Sequence, residues 1–395
     1  MTPLQNNENE PEELDLSKDF IGVPKIDDHS IEKRKAEEKN NRKRKSTKII
    51  LVVALILLGV FLALTIVIFA LVMTGRNQML LGEEAVITLP ETITDVAPED
   101  EGKTITHNGK TYELNKNVTA ILCMGVDRNE LKEGETLGAN GQSDANFLLT
   151  IDTVSGEVKA IAINRDTMVE MAAYSTGGKY LGTKKQQLCL SYAAGDGKKK
   201  SCENMMASVS NLFYGIPISA YIAIDLKAIG IMNEAVGNNI TVTSPDSFHS
   251  SIYGVSFEAG KETILDTPAK AAAFVRQRDI TKLDSNVTRM QRQKQYLQKF
   301  SAAAIKKTKE NITFPITLYN LISDYNVNTM TIPKISYLTS RVVGGMKTPR
   351  VEFLSVEGKL KEAEVLQDGE RKAEFHVDEQ KLFELILDVF YYEVK

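Results

Sequence analysis

Cysteine is scarce in this chain. Only three occur, Cys123, Cys189 and Cys202, and no CxxC spacing joins any of them, so neither a disulfide framework nor a thiolate-held metal cluster is indicated. Histidine is nearly as rare, with four scattered copies, and no Ser/His/Asp set can be argued from them. A glycine-rich phosphate loop is missing and no internal repeat is visible. With only 11 prolines, 43% hydrophobic residues and a formal net charge of −4, the composition is that of a globular protein without a large charge excess of either sign. Cys123 lies in an apolar run and reads as a buried free thiol, whereas Cys189 and Cys202 could pair in an oxidising compartment.

Charge is absent altogether from Ile49 to Met73, a run interrupted only by Gly59 and Thr65. As a helix, about 25 residues at a rise of 1.5 Å span about 37 Å, enough for a hydrocarbon core of about 30 Å with some tilt. A buried core helix is shorter and shows a polar face, and the apolar region of a cleaved signal peptide is shorter still and nearer the N-terminus. Before the run stand Lys33, Arg34, Lys35, Lys39, Arg42, Lys43, Arg44, Lys45 and Lys48, and just after it only Arg76. The positive-inside rule therefore puts residues 1–48 in the cytoplasm, as a disordered basic tail, and the rest of the chain outside. Residues 1–30 are polar, acidic and poor in aromatics. The basic cluster reads as a topology signal facing anionic lipid, and nothing in residues 1–48 resembles a helix-turn-helix, so no nucleic-acid partner is expected.

Residues 74–115 read as a stalk followed by a hairpin, marked by Asn108-Gly109 between strand-like flanks. From residue 116 the pattern is α/β. Apolar runs at Val118–Val126, Ala145–Asp152 and Glu157–Asn164 have strand length. Helices are expected at 184–195, 201–213, 225–236, 267–275 and 287–308, with strands at 219–224 and 239–244. A main domain over residues 116–345 is followed at 346–395 by a strand-strand-helix extension packed on it. The apolar runs at 205–213 and 218–232 read as core, with the alternative that they line a groove.

Chemistry gathers in two places. The first holds Asp127 and Arg128 of GVDR, Ser143-Asp144, and Asn164–Thr167, NRDT. The four-residue loop Thr153–Gly156 sets an antiparallel register in which paired residue numbers sum to 309, which places Asp144 opposite Arg165. If the strand Val118–Val126 runs parallel to 157–164, Asp127 leaves at the same edge, the carboxyl end where α/β sheets bind ligands. Asp127 and Asp144 are suited to one Mg²⁺, and the alternative is that each caps a turn. The second place holds FVRQRD, Phe274–Asp279, and TRMQRQ, Thr288–Gln293. In an extended chain Arg276 and Arg278 point the same way, while Arg289, Arg292, Gln293 and Tyr296 share a helix face. Guanidiniums resist burial without partners and match phosphate oxygens in bidentate geometry. The alternative is a solvated basic face paired with Asp279 and Asp284.

In this order, ILCMGVDR, the SD before a strand, INRDT, and AFVRQRD followed by TRMQRQ resemble the LytR-CpsA-Psr family of Gram-positive cell envelopes over about residues 116–310. The resemblance implies an α/β fold, a central mixed sheet flanked by helices after one N-terminal transmembrane helix, in a single-pass protein of the cell membrane. It implies a phosphotransferase that moves a glycopolymer from a polyprenyl pyrophosphate carrier to peptidoglycan. By match to the motifs, Asp127 and Asp144 would hold Mg²⁺, and Arg165, Arg276, Arg278, Arg289 and Gln293 would bind pyrophosphate, with Arg165, Asp166 and Arg276 acting in catalysis. Two positions depart from the family pattern: SDT is SDA here, with Ala145, and the acidic residue usual three positions before the TRMQRQ arginine is Asn286. Other readings of the same site are a regulator of the transcriptional-attenuator type that binds polyprenyl phosphate, and a polyprenyl pyrophosphatase.

Overall fold

In the computed structural model the described residues are 28–79, 86–90, 92–93, 96–134, 138–175, 177–279, 282, 284–345, 350–362 and 373–394. The chain divides into two compact units, Met1–Val67 and Ile68–Lys395. The disordered segment expected at the N-terminus lies, for residues 1–27, outside the described residues.

The first unit carries most of a helix that spans Asp28–Met79. Residues 28–48 are thus helical, which corrects the reading of a disordered tail up to residue 48. Lys, Arg, Glu and Ala are good helix formers, and Glu38 stands four residues before Arg42, a spacing that favours the helix. The helix is long and apolar enough to cross a membrane, with a mean hydropathy of 3.3 over an 18-residue stretch. Its large apolar side chains from Ile49 to Phe69 are exposed.

The second unit is mixed α/β, built on a six-stranded sheet. Across the sheet the strands run Asn326–Asn328, Ala220–Ile224, Val118–Val126, Ser143–Asp152, Val158–Ile163 and Val351–Ser355. Val118–Val126 is antiparallel to Ser143–Asp152, which is antiparallel to Val158–Ile163, so the first and third strands of this trio point the same way. Asn146 pairs with Ile163 and Ile151 with Val158, the register that the short loop demanded. Along Val118–Val126 the even-numbered residues Ala120, Leu122 and Met124 enter one core and Ile121 enters another. Burial on both faces is why these strands read as near-continuous apolar runs rather than alternating ones.

A four-stranded sheet contains the expected hairpin, Thr104–His107 with Lys110–Leu114. Its turn residues Asn108 and Gly109 have φ of +52° and +74°, the left-handed values that a two-residue hairpin turn of this hand needs.

Two expectations are corrected here. Residues 184–195 are not one helix, because Tyr180–Gln187 is a strand paired with Met168–Tyr174 and only Cys189–Ala193 is helical. Pairing with the preceding strand overrides the local preference of Lys184–Gln187 for a helix. The C-terminal segment does more than pack on a finished domain. Val351–Ser355 forms an edge of the central sheet, parallel to Val158–Ile163, and Tyr391–Val394 completes the four-stranded sheet against Lys110–Leu114. Between them, the helix Glu379–Phe390 buries Leu382, Phe383, Ile386 and Phe390 in the main core.

Candidate active site

The carboxyl ends of Val118–Val126 and Val158–Ile163 meet at one edge of the sheet, with Asp127 and Asn164–Thr167 leaving from them. A bulge lies here: Gly125 pairs with Ala145 but Val126 pairs with Ser143, so Asp144 is the residue left over. Bulges re-aim side chains, and this one turns Asp144 out of the ladder at the mouth of the site. Asp127 is exposed, and its Oδ1 accepts the Gln142 backbone N–H at 2.7 Å. Gly141 makes the close approach feasible. Its φ is +88°, and a Cβ there would stand 2.8 Å from Arg128 Cγ and 3.1 Å from Asp127 Oδ1.

Asp144 is gripped from two sides. Its Oδ1 accepts from Arg165 and its Oδ2 from Arg289 Nη1 at 2.5 Å. Arg165 also donates to the side-chain oxygen of Gln142 and lies 3.1 Å from Cys189 Sγ. Arg289 sits on the helix Ser285–Glu310, one turn after Asn286. The Asn286 Oδ1 accepts from Arg289 Nη2 at 3.1 Å and from Arg278 Nη1 at 2.8 Å, while its Nδ2 donates to Asp166 Oδ2 at 2.5 Å. Asp166 is 2% exposed; its Oδ1 accepts from Gln187 Nε2 at 3.1 Å and lies 3.4 Å from Arg165 Nε. The Asp166 backbone is held too, since its carbonyl accepts the N–H of Phe375 at 2.9 Å.

Arg165, Arg278 and Arg289 therefore share one small space with Asp144 and Asp166. Burial first, and then the charges of Arg165 and Arg278, lower the pKa of Arg289 to about 9. Arg278 is shifted down as well, by burial first and then by Arg165. At neutral pH Arg289 remains a cation. The Nε of Arg289 is buried without a hydrogen-bond partner among the described residues, an orphan that costs about 1–3 kcal/mol, whereas that of Arg165 faces Asp166 Oδ1 at 3.4 Å. Three cations against two carboxylates leave one positive charge uncompensated, which suits an anion. Burial pushes the Cys189 thiol up to about 11, so it stays neutral beside Arg165.

The residues named from sequence do not all converge. Arg165, Asp166, Arg278, Arg289 and Asp144 do, and Asp127 stands beside them through Gln142. Arg276 ends the helix Pro268–Arg276, half-buried, and the chain continues extended through Gln277, with φ −58° and ψ 134°. Gln293 is buried and donates to the Val275 carbonyl at 3.1 Å, which fixes the segment that carries Arg276. Arg292 turns away: it stacks 4.3 Å from the Phe248 ring centroid, lies 3.4 Å from Asp246 and donates to the Gln277 carbonyl. Asn286, Gln142, Gln187 and Cys189 were not named as site residues. Gln142 precedes the SD motif and Asn286 departs from the family pattern, so both carried a signal. Gln187 and Cys189 fell inside the misread helix. All three cysteines are free, which corrects the possible Cys189–Cys202 pair; Cys189 faces Arg165, while Cys202 is buried in the main core.

Of the runs at 205–213 and 218–232, Met205, Val209, Phe213, Tyr221 and Ala223 are core as expected, and in the later part of the second, Leu226, Lys227, Gly230 and Ile231 line a groove of about 380 Å³ with Asn129, Tyr253, Pro268, Ala269 and Ala272.

The LytR_cpsA_psr family model matches residues 87–386, most of the chain. A polyisoprenyl-teichoic acid–peptidoglycan teichoic acid transferase, TagV of Bacillus subtilis, is 27% identical over 174 residues, 43% of this chain and 40% of that protein. A protein of the same description, TagU of Halalkalibacterium halodurans, is 30% identical over 159 residues, 40% of this chain and 44% of that protein. The match thus spans less than half the length of either relative. The crystal structure of B. subtilis TagV superposes with a TM-score of 0.53 at 23% identity, covering 69% of this chain and 96% of that one. That of gbs0355 from Streptococcus agalactiae gives 0.54 at 19% identity, covering 69% and 86%. At these identities the two structures establish a shared fold.

Proposed function

The chain belongs to the LytR_cpsA_psr family, and on that premise we propose that it is a phosphotransferase moving a glycopolymer from a polyprenyl pyrophosphate carrier to peptidoglycan. The observation that carries this reading is the crowding of Arg165, Arg278 and Arg289 around Asp144 and Asn286, three cations in one small space. The names of the two transferases above support the choice of donor and acceptor.

In the proposed reaction a sugar hydroxyl of peptidoglycan attacks the phosphorus on the polymer side of the pyrophosphate. The new P–O bond forms as the bond from that phosphorus to the bridging oxygen breaks, the hydroxyl proton is released, and polyprenyl phosphate leaves with the electron pair. Arg165, Arg278 and Arg289 orient the two phosphates and balance the charge that gathers on the leaving group. Gln293 acts at one remove, by holding the backbone of Val275 next to Arg276.

Magnesium belongs to the proposal. Among the described residues no group of three His, Cys, Asp or Glu is arranged to hold a metal; Mg²⁺ takes one or two carboxylates and completes its shell with phosphate oxygens and water. Asp127 and Asp144 would hold it, Asp144 sharing its oxygens with Arg165 and Arg289. When bound, the ion supplies charge neutralisation on the phosphates. The groove lined by Asn129, Leu226, Ile231 and Tyr253 begins two residues past Asp127 and offers apolar surface to a prenyl chain.

The test follows the lipid. Full-length protein given a polyprenyl-pyrophosphate-linked glycopolymer should release polyprenyl phosphate only when peptidoglycan is supplied. Equal release without peptidoglycan makes the protein a pyrophosphatase, and none under either condition makes it a binding regulator.

The orientation is proposed on charge, the domain outside and the basic segment inside. Protease added to spheroplasts should digest the region after Arg76 and spare the segment before Lys48, read with antibodies to each end. Protection of the C-terminal region would place the site on the wrong side of the membrane for this function.

A further inference from the structure

We propose that Asn286 is a positioning residue whose amide, standing where the family pattern has an acid, sets the polarity of the anion seat. The inference rests on the function proposed above and specifies how its site is tuned in this chain. Asn286 is 8% exposed, and both ends of its amide are in use. The Oδ1 takes one N–H from Arg278 and one from Arg289, at 2.8 and 3.1 Å, while the Nδ2 donates to Asp166 at 2.5 Å. These partners settle the orientation of the amide. Turned over, it would point N–H groups at two guanidiniums and an oxygen at a carboxylate.

An aspartate at 286 could accept from both arginines but would have nothing to donate to Asp166. Two carboxylate oxygens in that contact repel unless they share a proton. Asp166 could not turn aside freely, because its other oxygen accepts from Gln187 and lies 3.4 Å from Arg165 Nε. The amide thus satisfies Asp166 and gathers Arg278 and Arg289 without cancelling either charge. The charged and titratable groups around this point are Arg165, Arg278, Arg289, Asp144, Asp166 and Cys189.

The experiment is titration of the full chain, in detergent, with a short prenyl pyrophosphate. Asn286→Asp should bind at least about tenfold more weakly than wild type, as should Asn286→Ala, which drops the shared acceptor without adding charge. The double variant Asn286→Asp/Asp166→Asn puts the donor on the other side of the same contact at unchanged total charge. It should bind within about threefold of wild type. In the single Asn286→Asp variant the deficit relative to wild type should narrow from about pH 8 to about pH 5, as a shared proton replaces the missing donor. A residue that merely filled space would show neither the recovery by exchange nor the pH dependence. Wild-type affinity in Asn286→Ala, or a double variant no better than Asn286→Asp, overturns the proposal. Failure of the wild type itself to bind overturns the proposed function instead, so the two failures are told apart.

Discussion

Replacing Arg289 by alanine should weaken binding of a prenyl pyrophosphate by about ten- to a hundredfold, the loss of a charge-assisted bond worth about 1.5–3 kcal/mol. Arg289 is 3% exposed and joins Asp144 to Asn286, so its removal also strips a partner from each. Lysine should recover only part of the loss. A point charge on a flexible stem cannot reach Asp144 and Asn286 together as the planar fork does. The contrast is Lys199, which is exposed and pairs loosely with Glu203 at 3.7 Å. Alanine there should leave the affinity unchanged, because exposed pairs of this kind contribute little. If the two alanine variants bind equally, Arg289 is not part of an anion seat.

Asp144→Asn should lower the transfer rate by about a hundredfold or more, the scale seen when one preorganised electrostatic group is lost from an active site. Two effects coincide at this residue. The carboxylate separates the guanidiniums of Arg165 and Arg289, each of which it bonds, and with Asp127 it is the proposed seat of Mg²⁺. They are separable by chelation: wild-type transfer should fall when divalent ions are removed, whereas the residual rate of Asp144→Asn should not respond. A variant that keeps both the wild-type rate and its response to chelator would remove Asp144 from the metal site.

Much of this site was legible in the sequence because the strands that build it are buried on both faces and therefore unmistakably apolar. A four-residue loop between two such strands left one register available, and that register carried Asp144 to Arg165. What was not legible depends on contacts distant along the chain. No local signal distinguishes Arg289, which enters the site, from Arg292, which turns to Phe248 and Asp246. Lys184–Gln187 has the composition of a helix and becomes a strand through its partner Met168–Tyr174. That misreading concealed Gln187 and Cys189, the residues that reach back to Asp166 and Arg165. The strand Val351–Ser355 joins the central sheet from the far end of the chain, a pairing that periodicity alone cannot assign.

The fate of the donor phosphorus tests the central claim most directly. With the polymer-side phosphorus of a lipid-linked donor labelled, full-length protein and peptidoglycan should yield label in a phosphodiester bound to peptidoglycan, together with unlabelled polyprenyl phosphate. Label recovered on free polymer as a phosphomonoester, whether or not peptidoglycan is present, would mean that water is the acceptor and that the protein is not a glycopolymer transferase.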